Sequence, residues 1–153
     1  MTRITILERE DMNAEQGKVF DDLKASGSPT GGPFWAYIRH PVLMRLTSDL
    51  GGYLRESDLS GRERQIAVLT VIRFWGGNYP WAVQVRSSLD VGLDQEIVDA
   101  INRRRDPPIT DPRERAAYQV ASELVSTHRL SDQTYAAAEA AFGVDHLVNL
   151  VAA

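Results

Sequence analysis

Residues 59–93 read LSGRERQIAVLTVIRFWGGNYPWAVQVRSSLDVGL, which is a helix, a glycine break and a second helix. Ser60 and Glu63 form an S-x-x-E capping box. The serine hydroxyl accepts a free N–H of the first turn and the glutamate reaches back to the cap. Ile66, Val68, Leu69, Ile72, Phe74 and Trp75 leave little polar surface, which predicts a helix buried on most sides. Gly76-Gly77 ends it, because glycine takes the left-handed C-terminal conformation without steric cost. Asn78 is the expected cap of the second helix. Pro80 is tolerated in its first turn, where the N–H has no intrahelical partner. Gly92 closes it.

Toward the N-terminus, residues 2–10 alternate weakly, and Ile4, Ile6 and Leu7 are expected to pack as an extended arm. Asn13 with Gln16 resembles a capping box for a helix over about 14–25, with Val19, Phe20 and Leu23 on one face. SGSPTGGP (26–33) is a loop by composition. Phe34, Trp35 and Tyr37 are too closely spaced to share one core side. Pro41 suits the first position of the next helix. Val42, Leu43, Leu46, Leu50 and Leu54 are its apolar stripe. Gly51-Gly52 costs that helix about 1 kcal/mol per glycine, which points to close packing or a break.

Toward the C-terminus, Asp94 is expected to cap a helix, with Leu93 and Val98 as a hydrophobic staple. RRRDPPITD (103–111) is a charged proline loop, read as a solvated run or a contact for an anionic partner. Asp111-Pro112-Arg113-Glu114 is a strong helix start for residues 112–129. Ser131 starts an alanine-rich helix ending at Gly143. Asp145 opens a last one whose Leu147, Val148, Leu150 and Val151 need a partner surface. The chain is therefore all-α, a single domain over 1–153 with about eight helices and short loops.

Composition narrows the function classes. An apolar content of 43% and a charged content of 25% over 153 residues describe an ordinary globule with a real core. The net charge of −4 argues against a nucleic-acid partner. There are no cysteines, which removes disulfides, thiolate metal sites and thiol redox chemistry. MTRITILERED is too short and too charged for a signal peptide, and no run approaches the roughly 20 apolar residues of a membrane span. The expected location is cytoplasmic. No histidine has a partner at metal-ligand spacing, so neither a metal nor a cofactor is expected.

The order and spacing of GPFWAYIRHPVL (32–43), GGYLRESDLSGRERQIAVLTVIRFWGGNYPW (51–81), the helix ending in VGL (91–93), ITDPRERAAY (109–118) and FGVDHLVNLVA (142–152) resemble the carboxymuconolactone decarboxylase and AhpD-like superfamily. The resemblance covers most of the chain from about residue 12. It implies an AhpD-like helical bundle, assembled as a homo-oligomer, a trimer or a hexamer. It also implies one further helix beyond Ala153. Peroxide-reducing members carry a C-x-x-C, a histidine four residues later and a glutamate in the first central helix. Those positions fall here on Gly77, Pro80, Gln84 and Gln65. Disulfide exchange needs a thiolate, which glycine and proline lack. Proton transfer needs a titrating group, which glutamine lacks. Decarboxylase-like members use Y-E-W-x-x-H, and this chain reads Tyr79-Pro80-Trp81-Ala82-Val83-Gln84. The aromatic frame stays while both titrating groups are gone.

The remaining candidates follow. Gln65 and Gln84 each bring an acceptor and two donors, able to hold a carboxylate or carbonyl or to bond one another. Tyr79, Trp81, Trp35 and Tyr37 are expected to line a pocket. His40, before Pro41 in the segment that covers the family's pocket, is the candidate for proton transfer. Arg73, on an otherwise apolar helix, needs a partner: a substrate carboxylate, Asp49 or Asp90. The expected function is a metal-free, non-redox enzyme of lyase or isomerase type acting on a small organic acid, lactone or ring. A catalytically silent oligomeric binding or scaffold protein is the alternative, and an AhpD-type alkylhydroperoxidase a third. The expected partners are a small-molecule ligand and a second copy of the chain, with no nucleic acid and no membrane.

Overall fold

The computed structural model describes residues 3–153, so the first residue of the weakly alternating arm, Thr2, lies outside them. The described residues form eight α-helices and one short 3-10 turn at Arg9–Asp11. They are α1 (Ala14–Ala25), α2 (Phe34–Tyr37), α3 (Pro41–Glu56), α4 (Gly61–Trp75), α5 (Asn78–Asp90), α6 (Gln95–Asn102), α7 (Pro112–Thr127) and α8 (Asp132–Ala152). The chain divides into two compact units, one up to Tyr53 and one from Leu54 to Ala153. Among the described residues no helix is long and apolar enough to cross a membrane.

In the first unit the Asn13–Gln16 box closes in both directions, at 2.9 and 3.0 Å. Val19 and Leu23 of α1 pack with Ile38 and Met44, and Phe34 and Tyr37 of α2 lie against them. Ile4 and Ile6 of the arm are exposed. The α3 stripe differs from expectation. Of that stripe Leu54 is buried, whereas Val42, Leu43, Leu46 and Leu50 face solvent together with Tyr53, Val42 being 66% exposed; Met44 and Ser48, one turn apart, face inward. The 3.6-residue period does mark an apolar face, but here that face is turned outward. The helix runs unbroken through Gly51-Gly52.

In the second unit α4 lies between two cores. Ile66 and Leu69 pack with Leu93, Ile97, Val98, Ile101 and Ile109. Ala67 joins Ala116, Ala117 and Val120 of α7 and Ala138, Phe142, Leu147 and Leu150 of α8. The small residues on these faces let α7 approach both α4 and α8 closely, since interaxial distance follows side-chain size. Residues 61–70 of α4 are buried or half-buried, as expected, and exposure is confined to its C-terminal end, where Val71, Phe74 and Trp75 face outward, Trp75 to 71%.

The caps explain where the helices start and stop. Ser60 and Glu63 bond reciprocally, at 3.1 and 2.8 Å. Gly76 ends α4 at φ 71°, in the left-handed region. Gly77, not Asn78, is the N-cap of α5. A Cβ at Gly77 would meet the Pro80 ring at 2.7 Å, so the proline that starts α5 demands a glycine there. Asp111 accepts from the Arg113 and Glu114 amides, at 2.8 and 3.0 Å. Asp94 stands at the α6 N-cap without a side-chain cap bond, because Arg62 takes its carboxylate at 3.0 Å. Gly143 (φ 72°, ψ 167°) breaks α8 where the sequence reading ends one helix and begins another.

Two adjacent arginine clamps hold α4 in place. Arg62 donates to both Glu114 oxygens, to Asp94 and to the Gly92 carbonyl, tying α4 to the α5–α6 link and to α7. Its acidic partners, Glu114 first, raise its pKa above the ordinary arginine value. Arg113 donates to Glu63 at 2.6 Å and to the Ala141 carbonyl at 2.7 Å, and its guanidinium lies over the Phe142 ring at 4.7 Å. The Glu63 side chain is only 5% exposed. Glu63→Ala leaves Arg113 and the Ser60 amide without their acceptor and is expected to cost about 3 kcal/mol of unfolding free energy in urea titration. The exposed Arg9–Asp21 pair is the control: Asp21→Ala is expected to leave the urea midpoint nearly unchanged.

Candidate functional site

The two glutamines that replace the ionisable pair meet each other. Gln65 projects from the second turn of α4 into the interior, and Gln84 lies midway along α5. The Gln65 Nε2 donates to the Gln84 Oε1 at 3.2 Å. Ser88, fully buried one turn after Gln84, donates to the Gln84 carbonyl at 2.7 Å and lies within 3.3 Å of the Gln65 Oε1. The Gln65 Nε2 is therefore engaged by Gln84, and its Oε1 shares the single Ser88 hydroxyl proton with the Gln84 carbonyl. No member of the cluster titrates in the physiological range, so it can orient a polar group but not carry a proton. Ser88 was missed by sequence reasoning. Its signal was the i+4 spacing from Gln84, which puts both on one face of α5.

Arg73 has different partners from those expected. It donates from Nε to the Asn102 carbonyl at 2.8 Å, and its guanidinium lies 5.7 Å from the Trp81 ring centroid. Neither Asp49 nor Asp90 is its partner. The last carbonyls of a helix lack intrahelical donors and carry the negative end of the dipole, so the C-terminus of α6 attracts a cation without any acid. Arg104 returns the contact, donating to the Arg73 and Phe74 carbonyls at the end of α4, at 3.3 and 3.4 Å. Trp81 packs against the core formed around Ile66 and Leu69, whereas Tyr79 is 63% exposed.

The other candidates lie in the first unit. Tyr37 packs on its core and meets Phe34 edge-to-face at 6.0 Å. Trp35 lines a cavity of about 440 Å³ with Met12, Phe20 and Phe34. His40 is exposed, and its carbonyl accepts from the Met44 amide at the start of α3. His128 caps α7 in the left-handed conformation, and the His146 Nε2 pairs with Asp58 at 2.9 Å. Among the described residues no three His, Asp or Glu side chains form a metal-holding group.

An all-helical chain organised on the α4–α5 pair is the class that this geometry defines. The model of the carboxymuconolactone decarboxylase family matches residues 41–123, more than half of the chain, and the chain belongs to that family. Comparison with curated proteins gives no match. The match runs from the start of α3 into α7 and includes both glutamines.

A double-mutant cycle tests the pairing. Gln84→Leu strands the buried Gln65 amide and is expected to cost about 1–3 kcal/mol, and Gln65→Leu, which strands only the half-buried Gln84, is expected to cost about 1 kcal/mol. The double variant is expected to fall about 1 kcal/mol short of the sum of the two. A coupling near zero in urea unfolding would mean that the amides act independently.

Proposed function

We propose that this carboxymuconolactone decarboxylase-like protein is a homo-oligomeric binding or scaffold protein that does not turn over substrate at the family position. One observation carries the reading. The Gln65 amide is occupied by Gln84 and Ser88, and the cluster holds no group able to move a proton. A lyase or isomerase acting on a lactone or small acid needs such a group in its transition state. A thiol peroxidase needs a cysteine thiolate, and the chain has no cysteine. Fold kinship does not replace either, since function resides in the site.

The oligomeric part is supported by the outward row on α3. Val42, Leu46, Leu50 and Tyr53 recur at helical spacing and are more than half exposed. A contiguous apolar face of this kind marks a protein interface, and a self-complementary row suits a second copy of the same chain.

Two measurements test the proposal. Carbon dioxide release from a carboxylated γ-lactone and consumption of an alkyl hydroperoxide are both expected to match the no-protein background. Turnover of the lactone that is lost in His40→Ala would restore the lyase reading. Light scattering is expected to find an oligomer in the parent chain and a monomer in Leu46→Asp with Leu50→Asp. A parent chain that is monomeric at micromolar concentration would refute self-assembly.

A further inference from the structure

The second unit holds a cavity of about 150 Å³ that shares no lining residue with the Gln65–Gln84–Ser88 cluster. Three arginines line it, Arg73, Arg104 and Arg105, and none of its ten lining residues is acidic. In a chain of net charge −4 this is a local reversal of sign. The neighbouring arginines are neutralised: Arg103 pairs with Asp99 at 3.3 Å and Arg115 with Asp106 at 2.6 Å. The cavity arginines have no carboxylate partner among the described residues. Arg73 donates one side-chain N–H to a carbonyl, the Arg104 side chain makes two long carbonyl contacts, and the Arg105 side chain makes no hydrogen bond or ion pair.

The other walls define the shape of the occupant. Phe74, Ile101 and Val125 supply apolar surface. The Tyr118 and Ser122 hydroxyls, also in the lining, are donors with no partner among the described residues. A cavity rich in donors and poor in acceptors calls for an acceptor-rich ligand, and a guanidinium fork matches a carboxylate with two parallel bonds. An apolar cavity of about 150 Å³ accommodates benzene, so the volume suits one six-membered ring.

The backbone at Arg104 adds to the case. Arg104 has φ 54°, in the left-handed region just past the end of α6, where glycine is the usual residue. The Arg105 amide bonds the Ala100 carbonyl at 2.9 Å and the Arg104 amide the Ile101 carbonyl at 3.0 Å, which is the Schellman closure of α6. The turn thus holds two consecutive arginines at the cavity, one of them in a conformation that a side chain disfavours.

We propose that this cavity binds a small monocyclic carboxylate. The assignment rests on the binding reading above for its role, and it occupies a different site. Calorimetric titration of the parent chain with benzoate, cyclohexanecarboxylate, benzamide and inorganic phosphate tests it. Both carboxylates are expected to bind, with benzamide and phosphate at least tenfold weaker, and added salt is expected to weaken the carboxylates. Arg105→Gln, which breaks no contact, is expected to weaken benzoate at least tenfold with Tm unchanged. Arg104→Gly, which relieves the left-handed backbone, is expected to weaken it with Tm held or raised. Benzamide binding as tightly as benzoate would overturn the charge recognition, and phosphate binding as tightly would overturn the ring. Failure of benzoate to bind at millimolar concentration, or binding indifferent to Arg105→Gln, would overturn the site. Lactone turnover alongside benzoate binding would refute the silent family position and leave this site standing.

Discussion

The second unit depends on a single carboxylate held almost out of water. Glu63 accepts from the Ser60 amide and from the Arg113 guanidinium, so one side chain closes the first turn of α4 and anchors α7 against it. Arg113 continues to the Ala141 carbonyl and the Phe142 ring, extending the tie to α8. A charge this buried is tolerable only when paired and hydrogen-bonded. Gln65 lies two residues further along, at the start of the second turn, so the position of the amide cluster follows from how the first turn is held.

The amide cluster joins two polar side chains without a charge. Two residues brought together by the α4–α5 pair can be exchanged for any two that satisfy each other there. Glutamine does so without a desolvated charge, since its amide carries both donor and acceptor. The cluster then stabilises the interior, with Ser88 supplying the remaining bond. Membership of the carboxymuconolactone decarboxylase family describes the framework; the reaction has to be argued from the groups present.

Much of the fold was legible because helix caps are local. The boxes at Asn13–Gln16 and Ser60–Glu63, the Asp111 start and the Gly143 break all follow from backbone groups within four residues. What was not legible depends on the rest of the chain. Apolar spacing on α3 and α4 showed that those residues repel water, but not that part of each row faces outward. Asp94 read as a cap, yet a guanidinium 32 residues away takes its carboxylate. Arg73 read as needing an acid, because sequence displays charges and conceals the free carbonyls at helix ends. At the candidate site the identity of the two glutamines was readable, and their mutual bond was not, since an amide pair leaves no periodic trace.

The reciprocal arginines at the ends of α4 and α6 make those ends a coupled unit. Arg73, from the last turn of α4, supplies a donor that α6 lacks, and Arg104, just past α6, supplies one that α4 lacks. Helix ends normally unwind independently, each turn leaving when its own carbonyls lose protection. Here, unwinding either end removes the guanidinium that shields the other, so the two open in one concerted event. Loss of order at one of these ends is thereby passed on to the other.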